Sequence, residues 1–190
     1  MNQIDVANVA LLSLEDGPIS SLNEELEAAR LCKAAMPWAI ETTLKGHNWN
    51  CATRLGGLGA PLVQAPAHGY AYAYNLPADC LHVQRLGGVN DEISWKRVGK
   101  QVHCDVTPGP DLTYTVLIPV EEMDPACSDA VAFRLAALIS RKLTGSTSHS
   151  DLANALSDQV SGWSTSLDAS EGTPDIVDAD GGDAGWADYM

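Results

Sequence analysis

Gly69-Tyr70-Ala71-Tyr72-Ala73-Tyr74-Asn75-Leu76-Pro77 breaks with everything before it in the chain. Tyrosines at 70, 72 and 74 alternate with alanines, the period of two that an extended strand imposes on its faces. Leu76-Pro77 ends the run. The same kind of signal continues downstream. Cys80 to Leu86 reads as a second strand, followed by Gly87-Gly88. Trp95 to Val98 and Gln101 to Val106 flank Gly99-Lys100, a two-residue connection with glycine first, which suits a type II′ hairpin. Leu112 to Ile118 is a further β-rich run closed by Pro119. Residues of about 69–119 are therefore expected to form a small antiparallel sheet.

On both sides the period changes to that of helices. Residues 4–14 read as a short helix, apolar on most sides and stopped by Gly17-Pro18. Asn23 is the expected N-cap of a second helix over 24–46, with Glu24, Glu25 and Glu27 in its first turn, where the helix dipole favours anions. Its stripe is Leu26, Ala29, Cys32 or Lys33, Met36, Ile40 and Leu44. Pro37 falls inside it and predicts a kink or break near 33–36. Asn50 to Leu55 reads as a helical turn, and 56–61 as a glycine-rich loop. After the strands, Asp124-Pro125 is a cap followed by proline at the first helical position, starting a helix over 125–143. A last helix is expected over 150–163, with Leu152, Leu156, Val160 and Trp163 in line. Helices, then contiguous strands, then helices predict an α+β fold: a bundle of four to five helices carrying one small inserted sheet, as a domain over 1–164. Residues 165–190 are expected to form an extended acidic C-terminal segment.

The 190 residues are 45% hydrophobic and carry a formal net charge of −14. This is enough apolar material for one core, and too much for global disorder. Seven of the 25 acidic residues and none of the 11 Lys and Arg lie in 165–190, so the body and this segment each carry about half of the net charge. An acidic chain without a basic patch is repelled by phosphate backbones. The five cysteines, Cys32, Cys51, Cys80, Cys104 and Cys127, are odd in number, widely spaced and without a CxxC pair, which argues for reduced thiols rather than a disulfide framework. The opening Met-Asn-Gln-Ile-Asp does not read as a signal peptide, and no run is long and apolar enough to span a bilayer.

No motif for catalysis stands out. Cys51 lies four residues from His47, but without a nucleophile elbow or oxyanion turn. Cys80-x-His82 and His103-Cys104 lack the paired spacing of a closed zinc site. Neither Gly56-Gly57-Leu58-Gly59 nor Gly87-Gly88 is followed by the lysine of a phosphate-binding loop. The Tyr70, Tyr72, Tyr74 ladder has no interleaved Lys or Arg for stacking bases. It reads as a face packed on a helix or on a neighbouring subunit. No cofactor, metal or enzymatic activity is expected. In 165–190 the composition is that of a disordered segment. Its 26 residues would reach roughly 85 Å at about 3.3 Å each. Ile176, Val177, Trp186 and Tyr189, together with Trp163 just before it, are the candidate anchors for docking into grooves of a partner.

Several stretches, taken in order, resemble the phage head–tail adaptor (connector) family that includes tail tubular protein A of short-tailed phages. They are Gly17-Pro18-Ile19 with Leu22; Glu27-Ala28-Ala29-Arg30-Leu31-Cys32; Trp49 with Ala52 and Arg54; Gly69 to Tyr74 leading to Leu76-Pro77-Ala78-Asp79-Cys80-Leu81; and Ala132 to Leu138 with Leu143-Thr144-Gly145-Ser146. Together they span about residues 5–150; the acidic C-terminal segment is not covered. Each is a packing or turn pattern, and the specificity lies in the series. The resemblance implies a structural virion protein, made in the host cytoplasm and placed at the head–tail junction. It implies a ring of subunits, a dodecamer, bound to the portal protein and presenting a platform to the next tail protein. DNA would pass through the ring without specific binding, and acidic walls would suit that passage. The alternatives are an acidic DNA-mimic inhibitor, which needs its charge spread over a folded face, another non-enzymatic virion component, and an enzyme using Cys51 or Cys80 as nucleophile.

Overall fold

The computed structural model describes residues 1–64, 66, 69–88, 93–144, 151, 155 and 162. The elements run α1 (Gln3–Leu12), α2 (Glu27–Gly46), β1 (Thr53–Gly57), β2 (Tyr72–Asn75), β3 (Cys80–Leu86), β4 (Trp95–Val98), β5 (Gln101–Cys104), β6 (Asp111–Val116) and α3 (Pro125–Thr144). Single 3-10 turns occur at Asn50–Ala52 and Val120–Glu122.

Asn2 starts α1 by a reciprocal cap. Its Oδ1 accepts from the N–H groups of Ile4 (2.8 Å) and Asp5 (3.0 Å), while Asp5 Oδ2 accepts from the Asn2 N–H at 2.8 Å. The helix closes on Glu15, which takes a left-handed φ of 59°. Glu15 N–H donates to the Leu12 carbonyl and Asp16 N–H to the Leu11 carbonyl, the paired bonds of a Schellman end. The chain thus turns at Glu15, ahead of Gly17, and α1 ends two residues short of the expected 14. Val6, Ala7, Ala10 and Leu11 are fully buried, as a helix apolar on most sides requires.

The start of α2 differs from expectation. Glu24 does not join the helix; its Oε1 accepts from the N–H groups of Ser20 and Ser21, both at 2.8 Å, and Asn23 accepts from Lys33 Nζ at 2.8 Å. With both side chains spent on the loop and on Lys33, the helix begins at Glu27, behind an uncapped Leu26. It then runs unbroken through Pro37 to Gly46. The apolar stripe Ala29, Cys32, Met36, Ile40 and Leu44 is buried against the rest of the fold, which holds the helix together across the missing donor. α3 forms as expected: Asp124 Oδ1 accepts from Cys127 N–H at 2.7 Å, Pro125 takes the first position, and the helix packs against both α1 and α2.

The bundle with a single inserted sheet is not what the chain forms. The described residues contain three helices and two three-stranded antiparallel sheets, ordered β1-β6-β3 and β2-β5-β4. Of the expected fourth helix over 150–163, only Asp151, Ala155 and Gly162 are among the described residues, and each is helical. Residues 50–57 also depart from the expected helical turn and loop. Only Asn50–Ala52 turns as a helix; Thr53–Gly57 is a strand, with Thr53 opposite Thr115 and Gly57 opposite Asp111 on β6. Gly56-Gly57 suggested loop, yet Gly56 passes over the ring of Tyr114, where an added Cβ would sit 3.5 Å from Cε1. The central strand β6 thus recruits a glycine-containing segment with little strand propensity of its own. The hairpin at 99–100 forms, with Gly99 at a φ of 61°.

Two polar side chains tie the sheets. Gln84, at the irregular step of β3 between Val83 and Arg85, donates from Nε2 to Thr53 Oγ1 and Thr115 Oγ1, both at 2.9 Å, joining three strands. Arg97 on β4 donates from Nη1 to the Leu81 carbonyl at 2.9 Å and so links one sheet to the other. A single apolar cluster runs from α1, α2 and α3 into both sheets, and includes Trp49, whose Nε1 donates to the Thr43 carbonyl at 3.0 Å. Gly109 is required where two loops meet: a Cβ there would lie 2.5 Å from the Leu58 carbonyl oxygen. Among the described residues no helix is long and apolar enough to cross a membrane.

Candidate functional site

A groove of about 650 Å³ runs between α2 and the segment 117–119. The turn spacing of the helix puts Lys33, Met36, Pro37, Ile40 and Glu41 along it. Gln3 and the loop residues Leu22 and Asn23 close one end, and Leu117-Ile118-Pro119, leaving β6, form the opposite wall. Met36, Ile40 and Ile118 are nearly fully buried and make the floor, whereas Leu117 is 58% exposed on the rim. The polar groups are few and already oriented. Lys33 Nζ is held by Asn23, and Glu41 is paired with Lys45 at 2.6 Å. A smaller hollow of about 310 Å³ shares Gln3, Leu22 and Asn23, and extends the groove toward the N-terminus of α1. An apolar trough with one cation near its end suits an extended apolar segment bearing carboxylates.

The tyrosine ladder does not make a continuous surface. Tyr74 is fully buried, its Oη donating to the Val106 carbonyl at 2.7 Å. Tyr72 lies opposite Cys104, half-buried on the core, and Tyr70 precedes the strand with its Oη 3.5 Å from Ser94 Oγ. Only Tyr70 and Tyr72 present area to a partner. Trp163, Ile176, Val177, Trp186 and Tyr189 lie outside the described residues.

The thiols separate into distinct environments. Burial, and then the nearby Asp16 carboxylate, push the Cys32 thiol up to about 11. Burial raises Cys80 as well, against the opposing charge of Arg97. Cys80 and His82 flank a register shift in β3, and His82 is exposed. Among the described residues no group of three His, Cys, Asp or Glu is placed to hold a metal ion. The His47 ring stands edge-on to Trp49 at 5.0 Å. The Cys51 pKa is lowered, chiefly through the Cys127 side chain; burial and the Asp124 carboxylate oppose this, and a backbone hydrogen bond from Asp124 assists it. The pair is remote in sequence, and no local spacing announces it. Sequence reasoning likewise missed the groove, because Leu117 to Pro119 read as the end of a strand.

Compared with known proteins, the chain matches no family model and no curated protein.

Proposed function

We propose that this chain is a structural virion protein of a tailed phage, an adaptor that forms a ring at the head–tail junction between the portal protein and the next tail protein. The ordered series of resembling segments over about residues 5–150 supports the reading. The observation that carries it is the α2 groove, an open apolar trough on a chain that also carries a long acidic segment with widely spaced apolar residues. The occupant we assign is that segment, 165–190, donated by the neighbouring copy in the ring. Ile176 and Val177, or Trp186 and Tyr189, supply apolar side chains for the floor of Met36, Ile40 and Ile118. Each such side chain fully buried is worth about 1.5–3 kcal/mol. The flanking carboxylates, Asp175 and Asp178 or Asp183 and Asp188, meet Lys33. At roughly 85 Å of extended reach, the segment is long enough to cross to an adjacent subunit.

The test is the light-scattering mass of the full chain, alone and mixed with the portal protein of the same genome. A complex of ring size that forms on the portal supports the adaptor. A chain that stays monomeric and never joins the portal overturns it in favour of an acidic inhibitor of a nucleic-acid-binding enzyme.

A further inference from the structure

We propose that Asp16-Gly17 is a site of spontaneous covalent modification: the Gly17 backbone nitrogen closes on the Asp16 carboxyl to a succinimide, which opens in part to isoaspartate just after α1. This inference does not rest on the adaptor reading.

The sequence holds two Asp-Gly dipeptides, Asp16-Gly17 and Asp180-Gly181, and the first lies among the described residues. Ring closure needs a backbone nitrogen not spent in a ladder, a side-chain carboxyl carbon within its reach, and open space around it. Gly17 has all three. Among the described residues its N–H makes no backbone hydrogen bond; it donates instead to Asp16 Oδ1 at 2.7 Å, the short end of the range for such bonds. Cγ is bonded to Oδ1, so it lies no farther than one carbon–oxygen bond, about 1.23 Å, beyond an atom that the nitrogen already touches. Glycine has no side chain to shield the nitrogen, and a Cβ built on Gly17 would meet nothing within 4 Å. Asp16, Gly17 and Pro18 are all exposed, so water reaches the ring once it forms.

The surrounding turn holds the carboxyl in place. Asp16 N–H donates to the Leu11 carbonyl at 3.0 Å, one of the bonds that close α1. On the far side Pro18 keeps Gly17 out of the helical region, and Ile19 is fixed by both amide atoms of Asn8. Other carboxylates with backbone partners are aimed elsewhere. Asp5 accepts from Asn2 N–H, Asp105 from Ala71 N–H and Asp124 from Cys127 N–H, and each is followed by a residue with a side chain.

The step needs no co-reactant except water. The carboxyl reacts in its protonated form. A bond forms between Gly17 N and Asp16 Cγ, the carbon–hydroxyl bond at Cγ breaks, and the hydroxyl leaves as water with the proton that the nitrogen gives up. Water then adds to one of the two ring carbonyls. Cleavage of the new bond restores aspartate. Cleavage between the main-chain carbonyl carbon of Asp16 and Gly17 N leaves isoaspartate, with the main chain routed through Cβ and Cγ and an α-carboxylate set free. The chain gains one backbone carbon between the closed end of α1 and the Asn8–Ile19 clamp.

The experiment ages the native full chain and a urea-unfolded sample side by side near neutral pH. Isoaspartate is then labelled with isoaspartyl methyltransferase and the sites are mapped by peptide mass. The expected result is isoaspartate at Asp16, with a fraction of the same peptide lighter by one water, accumulating at least as fast in the folded chain as in urea. A dipeptide that reacts only through its sequence is slowed by folding. Gly17→Ala, which fills the open space beside the nitrogen, should slow conversion at Asp16 several-fold and leave Asp180 unchanged. Asp16→Glu, whose ring would be one member larger, should abolish the signal at that position. The proposal is overturned if Asp16 converts more slowly in the folded chain than in urea, or stays aspartate while Asp180 converts. The two wild-type samples decide this even if a variant fails to fold.

Discussion

Asn8 and Ile19 hold each other by two hydrogen bonds: Asn8 Nδ2 donates to the Ile19 carbonyl at 3.0 Å, and Asn8 Oδ1 accepts from the Ile19 N–H at 2.8 Å. Ile19 is almost fully buried, so its backbone groups have little water to turn to if the amide is lost. Asn8→Ala is expected to cost about 2 kcal/mol, one for each bond, and to lower the melting temperature by roughly 5 °C. Asn8→Asp keeps the acceptor and loses the donor, so it should fall between. Urea unfolding of the three proteins tests the order; equal midpoints for wild type and Asn8→Ala would show that the loop is held by its apolar contacts alone.

Glu15 occupies the left-handed position that usually belongs to glycine, at the end of α1. A side chain there costs about 1–2 kcal/mol relative to the right-handed helix, and glycine returns part of that through its greater freedom when unfolded. Glu15→Gly should therefore stabilise the chain by about 0.5–1 kcal/mol, read as a higher urea midpoint at unchanged m-value. A lower midpoint would show that the Glu15 side chain has a stabilising role of its own.

These two sites show what was legible in the sequence and what was not. Local signals were readable: the Asp124-Pro125 start of α3 and the Gly99-Lys100 hairpin formed as expected, because each depends on residues within a few positions. Failures came where a distant partner decides. Thr53–Gly57 becomes a strand because β6, more than fifty residues later, offers it an edge. Glu24, whose position before an apolar stripe suits a helix dipole, instead caps the loop at Ser20 and Ser21. The groove needs α2 and the 117–119 segment side by side, a juxtaposition with no periodicity from which to read it.

Cys32 makes alkaline stability informative. Its thiol is fully buried, and its pKa stands at about 11 against an ordinary 9.0. The folded state keeps the proton where the unfolded state has lost it, so this contribution is complete below pH 9 and is lost as pH rises toward 11. Two units correspond to about 2.7 kcal/mol at most. Cys32→Ala should start from lower stability, because a buried atom is removed, but its stability should fall less steeply between pH 9 and 11 than that of the wild type. Other groups titrate in this window in both proteins, so the difference between their slopes isolates Cys32. Parallel slopes would mean that the thiol ionises freely in the folded chain.

Leu117 separates folding from assembly. It is 58% exposed on the rim of the groove, so Leu117→Asp should leave the stability of the isolated chain within about 0.5 kcal/mol of the wild type. In the assembled ring its side chain would be covered by the segment of the neighbouring copy. Losing that burial and placing a carboxylate beside acidic residues should weaken association by at least tenfold, given about 1.5–3 kcal/mol for a buried leucine and 1.4 kcal/mol per tenfold. Trp186→Ala in the donated segment should produce a similar loss if Trp186 is the side chain that enters the groove. The double variant should then be little worse than either single one, since both remove the same contact. Sedimentation of portal mixtures with the four proteins measures this coupling. Additive losses would place Leu117 and Trp186 in separate contacts and leave Ile176 and Val177 as the pair to be tested in the groove.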